Sequence, residues 1–122
     1  MKAIASRLLI LAVSVLLIGL STLSAYADDD IPVATTYQIY CARCHGDTGQ
    51  GDGPDGATLS PKPRDFADCA IMSKISDATI IKAITSGGAS VGLSRDMPAW
   101  GEALSDKKIH ALAAHVRTFC HK

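Results

Sequence analysis

Apolar positions near the end of the chain recur at the helical period. Ile109, Leu112, Ala113, Val116, Phe119 and Cys120 fall on one face when successive residues are placed about 100° apart. Ser105-Asp106-Lys107-Lys108 precedes them: a serine able to cap, then an acid in the first turn, where the helix dipole favours negative charge. The same chemistry opens Ser76-Asp77-Ala78-Thr79-Ile80, whose apolar face is Ile80, Ile81 and Ile84 and which Gly87-Gly88 ends. A further helix is expected over residues 32–44. Proline suits a first turn at Pro32, and Val33, Tyr37, Tyr40, Cys41 and Cys44 recur at helical spacing. Val33 and Tyr37 read as core. His110 and His115 lie off the last helix's apolar stripe and are expected, with His121, to face solvent. No segment alternates as an amphipathic strand does. The expected architecture is therefore all-α, with three main helices joined by long loops.

The longest connection covers residues 46–75. Gly46, Gly49, Gly51, Gly53 and Gly56 crowd its first part and exclude a regular element there. A short helical turn is expected near residues 66–74. About thirty residues of loop is unusual in a compact domain and needs something to wrap around. Residues 89–97 form a second, shorter loop.

Composition changes this picture mainly at the N-terminus. The chain has 122 residues, of which 48% are hydrophobic, enough for one domain. Much of that apolar content lies in residues 1–27. Lys2 and Arg7 begin that stretch, residues 8–20 are uncharged and apolar, and Ala25-Tyr26-Ala27 fits the small-x-small cleavage rule. An apolar run of 13 residues is short of the roughly 20 that a membrane span needs. Residues 1–27 therefore read as a cleaved signal peptide, leaving residues 28–122 exported to the periplasm without a membrane anchor. With Lys2 and Arg7 gone, ten basic residues face twelve acidic ones, a net charge of −2. No basic stripe exists, so nucleic acid is excluded as a partner.

The chemistry is carried by Cys41-Ala42-Arg43-Cys44-His45, the attachment signal of haem c. On a helix these three residues stand at i, i+3 and i+4 and share a face. Each cysteine sulfur can add to one vinyl group, and the histidine is then placed to ligate the iron. A thioredoxin-like pair would need a βαβ context, which is absent. A zinc site would need two further ligands, and Cys69 and Cys120 are too far apart in sequence to form a second close pair.

The sixth iron ligand is expected to be Met97. It stands in the loop Arg95-Asp96-Met97-Pro98-Ala99-Trp100, and Pro98 holds it away from helical geometry. Met/His ligation raises a haem potential. Met72 is the rival, read as core packing. Pro61-Lys62-Pro63 could supply a backbone carbonyl to His45 Nδ1, or be an ordinary proline turn. Arg64 is either a partner for a haem propionate or a solvated surface residue. Trp100 is expected near the haem edge or in plain core. Cys69 and Cys120, spare cysteines in an exported chain, suggest a disulfide. The chain-entropy model gives such a bridge roughly 4 kcal/mol.

At this point the sequence resembles the class I c-type cytochromes, the soluble bacterial monohaem members in particular. The resemblance rests on Cys41-Ala42-Arg43-Cys44-His45-Gly46, on Gly49-Gln50-Gly51-Asp52-Gly53-Pro54, and on Met97-Pro98. Pro63-Arg64-Asp65-Phe66 and Met97-Pro98-Ala99-Trp100 add to it. It implies the small all-α cytochrome fold, its first and last helices crossing beside one covalently attached haem, with His45 and Met97 as axial ligands. The Cys69/Cys120 pair departs from the minimal family pattern.

The function expected from all this is one-electron transfer, not catalysis. With both axial positions filled, no site is open to substrate, and no nucleophile or acid–base pair is evident. The first form of the expectation is a periplasmic carrier, monomeric and meeting redox partner proteins briefly. The alternatives are a cytochrome c subunit of a larger periplasmic oxidoreductase, and a haem sensor or peroxidase with an open sixth site.

Overall fold

The computed structural model describes residues 29–121. The expected signal peptide lies outside the described residues, as does the side chain of His121. The described part is helical, with no strand among the described residues. Helix α1 (Val33–Tyr40) leads into the short α2 (Ala42–His45). A long loop carries the one-turn α3 (Cys69–Met72). Then come α4 (Asp77–Ser86), a 3-10 turn at Gly88–Val91, and the long α5 (Asp106–Thr118), which ends in a 3-10 turn at Phe119–His121.

The caps expected at α4 and α5 are formed. Ser76 Oγ accepts from the Thr79 amide at 3.1 Å, and Ser105 Oγ accepts from the Lys108 amide at 3.1 Å. Each satisfies a donor that a helix start leaves without an intrahelical partner, an effect typically worth about 1 kcal/mol. A third cap was not expected: the Asp68 carboxylate accepts from the Ile71 amide at 3.1 Å and opens α3.

Helix α5 is the spine and packs on α1 and α4. Its buried stripe is Ile109, Leu112, Ala113, Val116 and Phe119, as the helical period predicts. Tyr37, Met72, Ile80, Ile84 and Leu104 complete the core with them. Each large apolar side chain buried there contributes about 1.5–3 kcal/mol relative to exposure.

Two details depart from the sequence reading, and a third, at Lys108, had no expectation attached. The expected helix over residues 32–44 is interrupted at Cys41, whose φ of −115° separates α1 from α2. His115 does not simply face solvent: it is half-buried, its ring 5.3 Å from Tyr37 and 5.2 Å from Phe119. His110 is exposed as expected. Lys108, at 5% exposure, is buried, and its ammonium donates to the Ile31 carbonyl, tying the start of α5 to the chain just before α1. A buried ammonium is tolerated only with such partners.

Candidate functional site

A cavity of about 540 Å³ opens between α1–α2, the long loop, α4 and the loop that follows it. Its lining includes Cys41, Cys44, His45, Met97 and Trp100. The four residues singled out in the sequence thus converge on one space, although Met97 is more than fifty positions from Cys44. The volume is in the range of ordinary small-molecule and cofactor sites.

Helix α2 owes its position to its neighbours, since four residues cannot hold a helix alone. Its carbonyls would be orphans at a helix end, and the glycine-rich loop supplies the donors. Gly46 N–H donates to Ala42 O at 2.8 Å, and Asp55 N–H donates to Arg43 O at 2.8 Å. Gly53 N–H donates to Cys44 O at 3.2 Å, and Gly51 N–H donates to His45 O at 2.8 Å. The loop therefore wraps the end of α2 carbonyl by carbonyl. On the surface, Arg43 grips Asp55 through two contacts, Nε–Oδ2 at 2.6 Å and Nη2–Oδ1 at 3.0 Å. Tyr37, fully buried, donates its hydroxyl to Gly46 O at 2.8 Å, so α1 also fixes the turn that follows α2.

His45 is only 9% exposed. Its Nδ1 lies 3.2 Å from the Arg64 carbonyl. A carbonyl only accepts, so this contact places the proton on Nδ1 and leaves the lone pair on Nε2. Burial lowers the imidazole's pKa from its ordinary value, partly offset by the Arg64 carbonyl. The result is a neutral ring with one nitrogen held and the other available as a ligand. Phe66 stacks on the ring at 4.4 Å and 15°, which fixes its plane. The sequence left Pro61-Lys62-Pro63 as either the source of that carbonyl or an ordinary proline turn; the carbonyl comes from the next residue, Arg64.

Cys41 and Cys44 are both half-buried free thiols. Burial, and then the neighbouring Cys44, pushes the Cys41 thiol up to about 11. Cys44 is raised too, first by burial and then by Asp55. Both shifts run upward, opposite in direction to the depressed thiol of a reactive disulfide-exchange pair. The adjacent His45 imidazole lines the same cavity as the two thiols.

Both methionines line the cavity: Met97 is half-buried, and Met72 is 1% exposed and also part of the core. Arg64 lines the cavity at intermediate exposure. Trp100 also lines it, its ring 5.1 Å from that of Tyr40 and tilted 52° to it. Cys69 and Cys120 bring their sulfur atoms to 2.15 Å, with Cα atoms 5.0 Å apart. Beside them Arg117 donates to Met72 O at 2.6 Å and to Ile75 O at 2.5 Å, and bonds Asp77 Oδ1 at 2.7 Å. The sequence reading missed Arg117, Tyr37's hydroxyl and Phe66. Only the last left a signal, an aromatic in the wrapping loop.

Residues 31–116 match the family described as cytochrome c oxidase, cbb3-type, subunit III. Among curated proteins, the chain is 36% identical over 85 residues to the cbb3-type cytochrome c oxidase subunit CcoP of Azospirillum sp. strain B510. That stretch is 67% of this chain and 26% of the relative. It is 34% identical over 101 residues to subunit FixP of Azorhizobium caulinodans, covering 80% of this chain and 31% of that one. The chain thus spans between a quarter and a third of the length of these relatives. Among solved structures it resembles the KustC0563 c-type cytochrome, with a TM-score of 0.58 and 30% identity. That match covers 73% of this chain and 98% of the other.

Proposed function

Because the chain belongs to the family of cbb3-type cytochrome c oxidase subunit III, we propose that residues 28–122 form a monohaem cytochrome c domain that passes single electrons as part of a larger redox complex. The observation that carries the reading is the convergence of Cys41, Cys44, His45 and Met97 on one cavity. In this reading Cys41 and Cys44 would hold the haem through thioethers, and His45 and Met97 would ligate its iron. When bound, the haem supplies a ferric/ferrous couple that accepts and returns one electron.

The chain's own residues have defined tasks. The Arg64 carbonyl keeps the His45 proton on Nδ1, which leaves Nε2 basic. Phe66 and the buried core beneath it exclude water from the His45 face. Cys69 and Cys120 form a disulfide that ties the wall bearing Met72 to the end of α5. None of these residues is asked to act as a nucleophile or general acid, in keeping with electron transfer rather than catalysis.

The subunit reading stands ahead of the freely diffusing carrier because the curated relatives are named as oxidase subunits. Residues 1–27 are proposed to act as an export leader that delivers the domain to the periplasm. No described helix is long and apolar enough to cross a membrane.

The test is an absorption spectrum of protein matured in a host competent for cytochrome c. Sharp low-spin haem c bands are expected, with the weak long-wavelength ferric band of sulfur on iron, and Met97→Ala should abolish that weak band. A high-spin wild-type spectrum would move the open-site reading ahead. Purification from membranes and periplasm at low protein concentration separates the two electron-transfer readings. A stable co-purifying oxidoreductase is expected; recovery solely as a free monomer would return the carrier to first place.

A further inference from the structure

We propose that Gly88 is a positioning residue for Met97, and that its missing side chain sets where the methionine stands. This rests on the reading of Met97 as the axial ligand. Helix α4 ends at Gly87, where φ is +81°, a conformation that glycine adopts without steric cost. The chain then turns so that Gly88 N–H donates to Met97 O at 3.0 Å. From the other side Leu93 N–H donates to Gly88 O at 2.9 Å. Gly88 is thus bonded to both ends of the 93–97 loop and is itself buried.

The space around Gly88 is filled by that loop. A Cβ added there would stand 2.4 Å from Ser94 O and 3.1 Å from Met97 Cβ. Ser94 O is backbone and cannot swing aside as a side chain can. Ser94 is further held by its hydroxyl, which donates to Asp96 Oδ2 at 2.8 Å and accepts from the Asp96 amide at 3.1 Å. Beyond Met97 the chain is tied back to α4, with Trp100 N–H on Ile84 O at 2.9 Å and Gly101 N–H on Thr85 O at 3.0 Å. With both flanks fixed, an added methyl group displaces the part between them, and that part is Met97.

Gly92 provides the control. It has a positive φ of +76° in the same loop, yet a Cβ built on it meets nothing within 4 Å. Gly88→Ala and Gly92→Ala would be matured as holoproteins and compared with the wild type. All three should carry covalent haem. The weak sulfur-to-iron band should be lost or shifted in Gly88→Ala alone, and its reduced form should take up carbon monoxide faster. A folded Gly88→Ala with the wild-type band and uptake rate would overturn the positioning role while leaving Met97 as ligand. A wild-type protein without the band would overturn both. If Gly88→Ala does not mature, amide exchange in the wild-type holoprotein decides. A protected Gly88 amide that exchanges faster in Met97→Ala supports the role; an amide exchanging as freely as unstructured chain refutes it.

Discussion

His45 and Met97 line the same cavity but are held there by different means. His45 is gripped through its side chain: one ring nitrogen on the Arg64 carbonyl and one ring face on Phe66. Met97 is placed through its main chain, by the Gly88 amide on its carbonyl. The difference follows from the side chains. An imidazole must be fixed in plane and tautomer to present one lone pair, which needs a polar partner and a flat neighbour. A thioether has three flexible bonds and no proton to place, so fixing its point of origin suffices. The His45 side is consequently a dense assembly of rings and capped carbonyls, and the Met97 side a loop stitched to the end of α4.

The largest expected way to break this contrast is Phe119→Ala. Phe119 is buried, lies 5.0 Å from Tyr37 and 6.4 Å from Phe66, and so supports the rings behind His45. Truncation of a core phenylalanine costs about 3–5 kcal/mol. Denaturant unfolding of the holoprotein should show that loss, while the sulfur-to-iron band persists in the protein that remains folded. Loss of the band at unchanged stability would mean the two sides are not separately built.

Tyr37→Phe is expected to act less strongly and more locally. It removes the bond to Gly46 O, which keeps only the Gly49 amide at 3.1 Å, a cost of about 1 kcal/mol. Stability should fall by that amount, again with Met97 ligation intact. A variant as stable as wild type would show that the Gly49 amide alone satisfies Gly46 O.

Asp55→Asn should have the smallest effect. The Arg43 guanidinium holds the Asp55 carboxyl below its ordinary pKa, but the pair is fully exposed. A depressed folded pKa contributes stability above the unfolded value of 3.8, lost as pH falls through the folded one. Wild type and variant should therefore differ slightly near pH 7 and converge in acid. A large difference at neutral pH would make this surface contact a principal support of α2.

What could be read from the sequence was whatever side chains encode by type and period. Ser76 and Ser105 announced their helices, the stripe from Ile109 to Phe119 announced the core, and Cys41, Cys44 and His45 announced a group of side chains that meet on one cavity. What stayed hidden was encoded in backbone groups or in long-range pairing. Any residue could have offered the carbonyl that Arg64 gives to His45, and no residue type marks a carbonyl as an acceptor. The break at Cys41 is likewise invisible, because the helical spacing of Cys41, Cys44 and His45 continues across it. Nothing in the sequence marks Lys108 as buried, since its partner Ile31 is 77 positions away, and His115 lies off the apolar stripe yet reaches Tyr37 across the interface with α1.

Joining Cys69 to Cys120 also has a topological result. The ring so closed contains Met97 but not His45, so the two proposed ligands sit in different covalent parts of the polypeptide. A protease that nicks the chain at Lys82 or Arg95 would leave fragments still linked through sulfur. A nick at Lys62 would divide the chain into a segment bearing His45 and one bearing Met97, held to each other by packing and, through the metal, by coordination alone. The strength of that association, measured with iron ferric and then ferrous, would weigh the methionine bond in each oxidation state.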